Sequence, residues 1–347
     1  MKKFLSIALA LLMVCVMLPV VALAAEKTAS TYEELKSAIS TANDGDTIKL
    51  LADIDLSQTI TVNKTITLNM NGKKLYNTSD LWDKPTAEAN NWSLISVRGS
   101  GNLTITGNGT FAAKENDCYA VDVQESATVT IKNGTFIGNI HAVYVFAGTA
   151  NVEGGTYSVQ QKYPDSAKGD EFVLNCYDAN RANGTAHINV TGGTFKNFNP
   201  ADNKAEGEGN NFADNSLVVQ KNNTVQNNDY YVGNAANEVI AAASKGEEIF
   251  VLNGTTLTNV PAGVIIQNRT GDRITVNGKD VELTGDAGYT VPASNITIIV
   301  PGDTTPAETP KTDDQKNPST GANDFVGLAA AAAVVALLGS AVVLRKK

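Results

Sequence analysis

Between residues 44 and 200 the apolar residues alternate with polar ones in short runs, and glycine or asparagine ends each run. One unit recurs four times, an alternating run followed by Gly-Thr and an aromatic ring. The copies are Leu103-Thr104-Ile105 with Gly109-Thr110-Phe111, Val129-Thr130-Ile131 with Gly134-Thr135-Phe136, Val152 with Gly155-Thr156-Tyr157, and Ile188-Asn189-Val190 with Gly193-Thr194-Phe195. Ahead of each lies another apolar pair: Ile95/Val97, Val121/Val123, Val143/Val145 and Phe172/Leu174. Period two marks a strand with one face buried. The glycine-to-glycine steps of 25, 21 and 38 residues, filled with strands and turns only, do not fit a helical repeat. One unit cannot hide its own apolar face, whereas stacked units bury a continuous core. The pattern therefore predicts an all-β solenoid of parallel strands over residues 25–200. Its glycines would supply positive φ at the corners, and Asn and Thr would bond within the turns. A β-sandwich with similar hairpins is the alternative.

Helical spacing occurs at two places. Ser30-Thr31-Tyr32-Glu33 has the form of a capping box, and Tyr32, Leu35, Ile39 and Ala42 share one face up to Asn43-Asp44-Gly45. A helix here would cap the open N-terminal end of the solenoid, which otherwise exposes strand edges. Later, Glu238 to Ser244 reads as a helix, followed by Lys245-Gly246, Ile249-Phe250-Val251-Leu252 and Ile274-Thr275-Val276-Asn277-Gly278-Lys279. That order repeats Gly45, Ile48-Lys49-Leu50 and Leu68-Asn69-Met70-Asn71-Gly72-Lys73, so residues 231–300 read as a short β-rich module, a diverged copy of the N-terminal unit. Residues 201–230 form a polar connection with a hairpin around Asn222-Asn223, and 301–316 a Pro/Thr-rich extended linker.

The longest uncharged stretches lie at the two ends. Met1-Lys2-Lys3 precedes an apolar run from Phe4 to Val21 and then Ala22-Leu23-Ala24. Charge, apolar core and small-x-small make residues 1–24 a secretory signal peptide cleaved at the Ala22/Ala24 site, with an uncleaved anchor as the alternative. At the other end Asn317-Pro318-Ser319-Thr320-Gly321 precedes an uncharged stretch, Phe325 to Leu344, and then Arg345-Lys346-Lys347. Those apolar residues suffice to span about 30 Å of hydrocarbon, and the cationic tail would stay cytoplasmic.

Pentapeptide, span and basic tail together resemble the cell-wall sorting signal of Gram-positive surface proteins. The resemblance implies that residues 317–347 are read by sortase, which would cut between Thr320 and Gly321 and join Thr320 to peptidoglycan. Asn317 stands where that family usually has Leu, which leaves the sortase class and a plain membrane anchor open. Ile66-Thr67-Leu68-Asn69-Met70-Asn71-Gly72 and the four Gly-Thr-Phe/Tyr units resemble right-handed parallel β-helices of the pectin-lyase-like class, above all those of repeat-rich bacterial surface proteins. The fold expected is thus a right-handed parallel β-helix solenoid with an N-terminal capping helix, a short second module and a C-terminal transmembrane segment at 325–344.

Charge narrows the partners. The net charge of −9 becomes −11 without residues 1–24 and −13 without 321–347. An acidic ectodomain argues against nucleic acid and anionic membranes as partners. Cys15 leaves with the signal peptide. Cys118 and Cys176 fall two coils apart, about 9.6 Å at strand spacing, which exceeds the reach of a disulfide at about 7 Å. Two free, buried thiols are expected.

Catalytic chemistry is not evident. The hydrolases of this fold class use Asn-Thr-Asp, Asp-Asp and His-Gly motifs, and the repeats contain none of them; Asp313-Asp314 sits in the linker. His141 and His187 read as surface strand residues, and Arg98 and Arg181 stand in no lyase-like motif. Asp202, Glu206, Glu208 and Asp214 lack EF-hand spacing and read as a solvated acidic loop rather than a calcium site. No metal and no cofactor is implied. The steps from Gly72 to Gly109 and from Gly155 to Gly193, 37 and 38 residues, each exceed a plain coil by about a dozen. The first insertion carries Trp82 and Trp92; the second carries Tyr163, with Tyr177 and Arg181 close by. These five are the candidate ligand-binding residues. The function expected is a non-enzymatic, wall-anchored surface protein that displays, adheres to or binds a glycan, host surface or partner protein, with sortase and peptidoglycan as processing partners. A polysaccharide lyase or hydrolase and a purely structural stalk are the alternatives.

Overall fold

Each short alternating run becomes a strand, and the strands fall into register with their equivalents one coil away. The computed structural model describes residues 24–82, 92–161, 172–201, 215–222, 228–282 and 284–293. The signal peptide up to Ala22, the linker, the sorting pentapeptide 317–321, the 325–344 stretch, Tyr163 and the acidic loop with Asp202, Glu206, Glu208 and Asp214 lie outside the described residues. Among the described residues no helix is long and apolar enough to cross a membrane.

The chain opens with β1 (Glu26–Ala29) and α1 (Tyr32–Ser40). A first turn follows as β2 (Thr47–Leu50), β3 (Ile54–Asp55) and β4 (Ile60–Val62), and a second as β5 (Thr65–Asn69), β6 (Lys74–Tyr76) and β7 (Ser93–Val97). The third is β8 (Asn102–Thr106), β9 (Thr110–Ala112) and β10 (Tyr119–Val123); the fourth is β11 (Thr128–Ile131), β12 (Thr135–Gly138) and β13 (Val143–Val145). Then come β14 (Gly148–Val152), β15 (Thr156–Val159) and β16 (Leu174–Cys176), a short helix α2 (Asp178–Ala182), and β17 (Ala186–Val190) with β18 (Gly193–Lys196).

Three sheets result. One is 7-stranded, β1-β2-β5-β8-β11-β14-β17, and one is 5-stranded, β4-β7-β10-β13-β16; both are parallel throughout. The third runs parallel from β3 through β6, β9, β12 and β15 to β18. The protein is mostly β with parallel sheets, as an all-β parallel solenoid requires. The Gly-Thr-Phe/Tyr units align residue on residue, Phe111 with Phe136, Tyr157 and Phe195. Their rings form an internal column with centroids 4.8, 5.1 and 5.0 Å apart, fully buried. Gly134, Gly155 and Gly193 take the expected positive φ, but Gly109 does not. At Gly109 the constraint is space, because a Cβ would come within 2.5 Å of the Lys73 carbonyl oxygen.

Several expectations shift in detail. The alignment pairs Leu174 and Cys176, not Phe172 and Leu174, with Val143 and Val145. Phe172 lies ahead of the strand, because the second insertion does not keep the spacing of the shorter loops. The capping box moves by one residue: Thr31 Oγ1 accepts from the Glu34 amide, and the Glu34 carboxylate accepts from the Ser30 amide. The helix buries Leu35, Ala38 and Ile39, and Lys64 donates to the Ser40 and Ala42 carbonyl oxygens at its C-terminal end. It is not the last layer of sheet one, however. β1 comes first and pairs with β2, although Glu26-Lys27-Thr28-Ala29 shows no apolar alternation.

The polar connection turns out to be a structural splice. β19 (Val218–Lys221) and β20 (Asp229–Val232) form the expected hairpin around Asn222. β20 pairs antiparallel with β18, and β19 pairs antiparallel with β21 (Glu248–Asn253), which extends the third sheet into the module. Val218 faces the core of the coils and Val219 the core of the module. The module helix α3 spans Asn234–Ala241, starting four residues earlier than predicted, because Ala236 as well as Ile240 supplies its buried face.

Behind that helix the resemblance to the N-terminal unit reaches individual atoms. Gly45 and Gly246 have φ of +92° and +86°. Asp46 Oδ2 accepts from the Asn43 amide, as Glu247 Oε2 does from the Ser244 amide. The carbonyl oxygens of Asp46 and Glu247 then accept from the next parallel strand, at Thr67 and Ile265. Backbone amides hold both carboxyls below the usual range. The copies part at Asn277-Gly278. β22 (Ile274–Val276) folds back there on β23 (Lys279–Val281) as a hairpin, whereas the chain beyond Asn71-Gly72 moves on to β6 in the third sheet.

Candidate functional site

Loops that enter neighbouring strands of a parallel sheet must lie side by side. Four of them enter β7, β10, β13 and β16, and the described ends of the two long insertions, at Trp92 and Phe172, precede β7 and β16. β7 and β16 are three strand steps apart, about 14 Å. Two short loops, 113–118 and 139–142, make up the corner between them.

Aromatic rings gather on this corner. Trp82 and Trp92 lie with centroids 5.8 Å apart, tilted by 31°. Trp82 meets Tyr119 edge-on at 5.4 Å. Tyr119 contacts His141 at 4.8 Å and Tyr144 at 5.1 Å, and His141 stacks on Tyr144 at 5.3 Å. The indoles keep 37% and 38% of their surface accessible, whereas Tyr119 and His141 are buried beneath them. Tyr119 and Tyr144 stayed hidden in the sequence because each is one aromatic among alternating residues; the register of β10 and β13 is what unites them.

His141 is not the surface strand residue that the sequence suggests. It lies just ahead of β13 and is buried, not exposed on a strand. The Phe172 carbonyl accepts from Nδ1 at 2.7 Å, and Nε2 is 3.3 Å from the Asn175 amide nitrogen. A carbonyl can only accept, so Nδ1 carries the proton and Nε2 accepts from Asn175. That ring is neutral, and burial draws its pKa down to about 4. His187 does lie exposed on β17.

Across the five-stranded sheet Thr61, Ser96, Asp122, Tyr144 and Asn175 share one row. Asp122 is fully buried, accepting from Ser96 Oγ at 2.9 Å and Gln124 Nε2 at 2.8 Å. Burial pushes its carboxyl up to about 6, against the two hydrogen bonds and the nearby Arg98, which favour the charged form.

The signs of these two groups oppose. The unfolded chain binds a proton at His141 below pH 6.5 that the folded protein refuses until about 4, so this group removes stability on acidification. The folded protein binds a proton at Asp122 below about 6 that the unfolded chain takes up only near 3.8, so this group restores it. Between pH 6 and 4.5 the two slopes offset each other. Asp122→Asn is expected to raise stability by about 1–3 kcal/mol at pH 7.5 and to expose a decline from pH 6.5 to 4.5. Urea midpoints across that range decide it; parallel profiles for variant and wild type would refute the assignment.

The remaining predicted residues form a second group. Tyr177 stacks on Phe146 at 4.9 Å, both exposed, where the chain leaves β16 and β13. Asn180 donates to the Phe146 carbonyl oxygen, and Arg181 pairs with Asp178 at 3.5 Å within α2. Among the described candidates two places are occupied. The tryptophans stand where the chain enters the sheet, Tyr177 and Arg181 where it leaves, and Tyr163 is outside the described residues. Cys118 and Cys176 are buried and form no disulfide, as expected, and burial raises the Cys118 thiol far above its ordinary value. Among the described residues no group of three His, Cys, Asp or Glu could hold a metal ion.

A scan against protein-family models and searches among curated proteins and solved structures find no match to this chain.

Proposed function

We propose that the chain is exported, anchored at a Gram-positive cell surface through its C-terminal signal, and binds a glycan or partner surface with the aromatic corner of the five-stranded sheet. On this reading the stacked coils are a right-handed parallel β-helix of the pectin-lyase-like class. Residues 301–316 carry it outward from the wall, and sortase joins Thr320 to peptidoglycan. Support for anchoring comes from the order of charge, apolar run and pentapeptide at the two ends. Binding rests on one observation: two partly exposed tryptophans in contact just ahead of the parallel sheet, with the buried Tyr119 ring against Trp82. Exposed aromatic faces with polar neighbours are costly in water and suit recognition.

Chain released from cell walls by muralytic digestion and applied to a glycan array tests the binding. Specific retention is expected, and Trp82→Ala is expected to abolish it. Retention of nothing on the array or on host matrix proteins would leave a structural stalk. Cleavage of an arrayed polysaccharide would make the protein an enzyme. Mass spectrometry of the released chain is expected to end at Thr320. Recovery in detergent alone, with 325–344 intact, would reject sortase.

A further inference from the structure

Trp82 and Trp92 bracket the first insertion, yet the groups that hold them belong to the next coil. Asp117, buried in the short loop ahead of β10, accepts four hydrogen bonds. Asn77 Nδ2 donates to Oδ2 at 2.7 Å, the Leu81 amide reaches both oxygens at 3.0 and 2.9 Å, and the Trp82 amide donates to Oδ1 at 2.9 Å. Asn77 Oδ1 in turn accepts from the Lys114 amide, so the two loops are stitched in both directions. Two residues beyond Asp117, the Tyr119 amide donates to the Trp92 carbonyl oxygen at 2.7 Å, while the Tyr119 ring supports Trp82. The segment Asp117–Tyr119 thus pins both tryptophans, one at each end of the insertion.

The gap between the indoles limits the guest. A group held between two rings needs about 7 Å, two contacts of about 3.5 Å. At 5.8 Å the rings leave no such slot. A cation enclosed by aromatic walls does not fit; a flat ligand laid on the outer ring face does. The strongly negative chain disfavours nucleobases on a polyphosphate backbone. We infer that Trp82 and Trp92 form the stacking surface for an uncharged sugar ring, and that Asp117 is the positioning residue that orders them before the ligand arrives. The inference rests on the binding function proposed above. Ordering in advance lowers the entropy lost on binding.

The chain holds 2 tryptophans, so its tryptophan signals report this site alone. The wall-released chain is titrated with uncharged cello-, xylo- and N-acetylglucosamine oligomers and with tetramethylammonium, following tryptophan emission. Saturable change with one of the sugars and none with tetramethylammonium is expected. Asp117→Asn is expected to lose the circular-dichroism couplet of the paired indoles in the free protein. It is also expected to bind at least about ten-fold more weakly, since bonds to a carboxylate are being weakened. An unchanged couplet and affinity in Asp117→Asn would overturn the positioning role. Saturation by tetramethylammonium alone would overturn the sugar. Glycan retention that survives Trp82→Ala would end this inference and leave the binding function standing; no retention at all would end both. If Asp117→Asn does not fold, hydrogen exchange on the wild type decides: unprotected Leu81 and Trp82 amides mean that the latch does not exist.

Discussion

Phe136→Ala is expected to cost about 3–5 kcal/mol, seen as a large drop in the urea midpoint. Phe136 is fully buried between Phe111 at 4.8 Å and Tyr157 at 5.1 Å. Losing the ring removes its burial and leaves a gap that two stacked coils must close together. In a stacked array each coil is held by its neighbours, so a weak layer in the middle uncouples both sides. Phe146→Ala is the control. That ring also stacks, on Tyr177, but is 37% exposed, and about 1 kcal/mol or less is expected. Equal shifts for the two variants would show that the internal column does not hold the coils.

Gly148→Ala is expected to be at least as damaging, above about 4 kcal/mol or without folded protein. Gly148 starts β14 with φ of +101°, where any side chain is strained by about 1–3 kcal/mol. A Cβ there would lie 2.3 Å from the Ala127 carbonyl oxygen of the preceding coil. That oxygen cannot move aside, because it accepts from the Thr149 amide, and the Gly148 amide itself donates to the Thr185 carbonyl oxygen. The coils would have to part. Gly184→Ala separates strain from crowding: φ is +76° but nothing lies within 4 Å, so about 1–2 kcal/mol is expected. Thermal and urea unfolding of the pair measure the difference; a Gly148→Ala protein as stable as Gly184→Ala would refute the close approach.

Much of the scaffold was legible because its causes are local or repeat. Alternation marks which face of a strand is buried, and a recurring Gly-Thr-Phe/Tyr unit shows which strands are equivalent. β1 escaped notice because Lys27 takes the half-buried position on the face where Ala29 is buried, so the run shows no apolar alternation. The α3 boundary slipped because Asn234-Ala235-Ala236-Asn237 offers little contrast between its faces. The hairpin was visible around Asn222, but its role in joining two cores was not, since β19 shows each core only one of two consecutive valines.

The candidate site was legible in fragments. Long insertions pointed to Trp82 and Trp92, and the two indoles lie in contact. Tyr177 and Arg181 were singled out beside the second insertion, and they stand where the chain leaves the sheet rather than where it enters. Asp117, Tyr119, His141 and Tyr144 carried no motif.

By itself the sequence determined most of the strands, the corners and which strands of successive coils are equivalent, since each follows from periodicity and from the size of one repeat. Tertiary structure alone decided the tryptophan pair and its buried support, the opposing titrations of Asp122 and His141, and the splice into the module. Those depend on residues from different coils meeting at one corner, and only the register between strands sets that meeting.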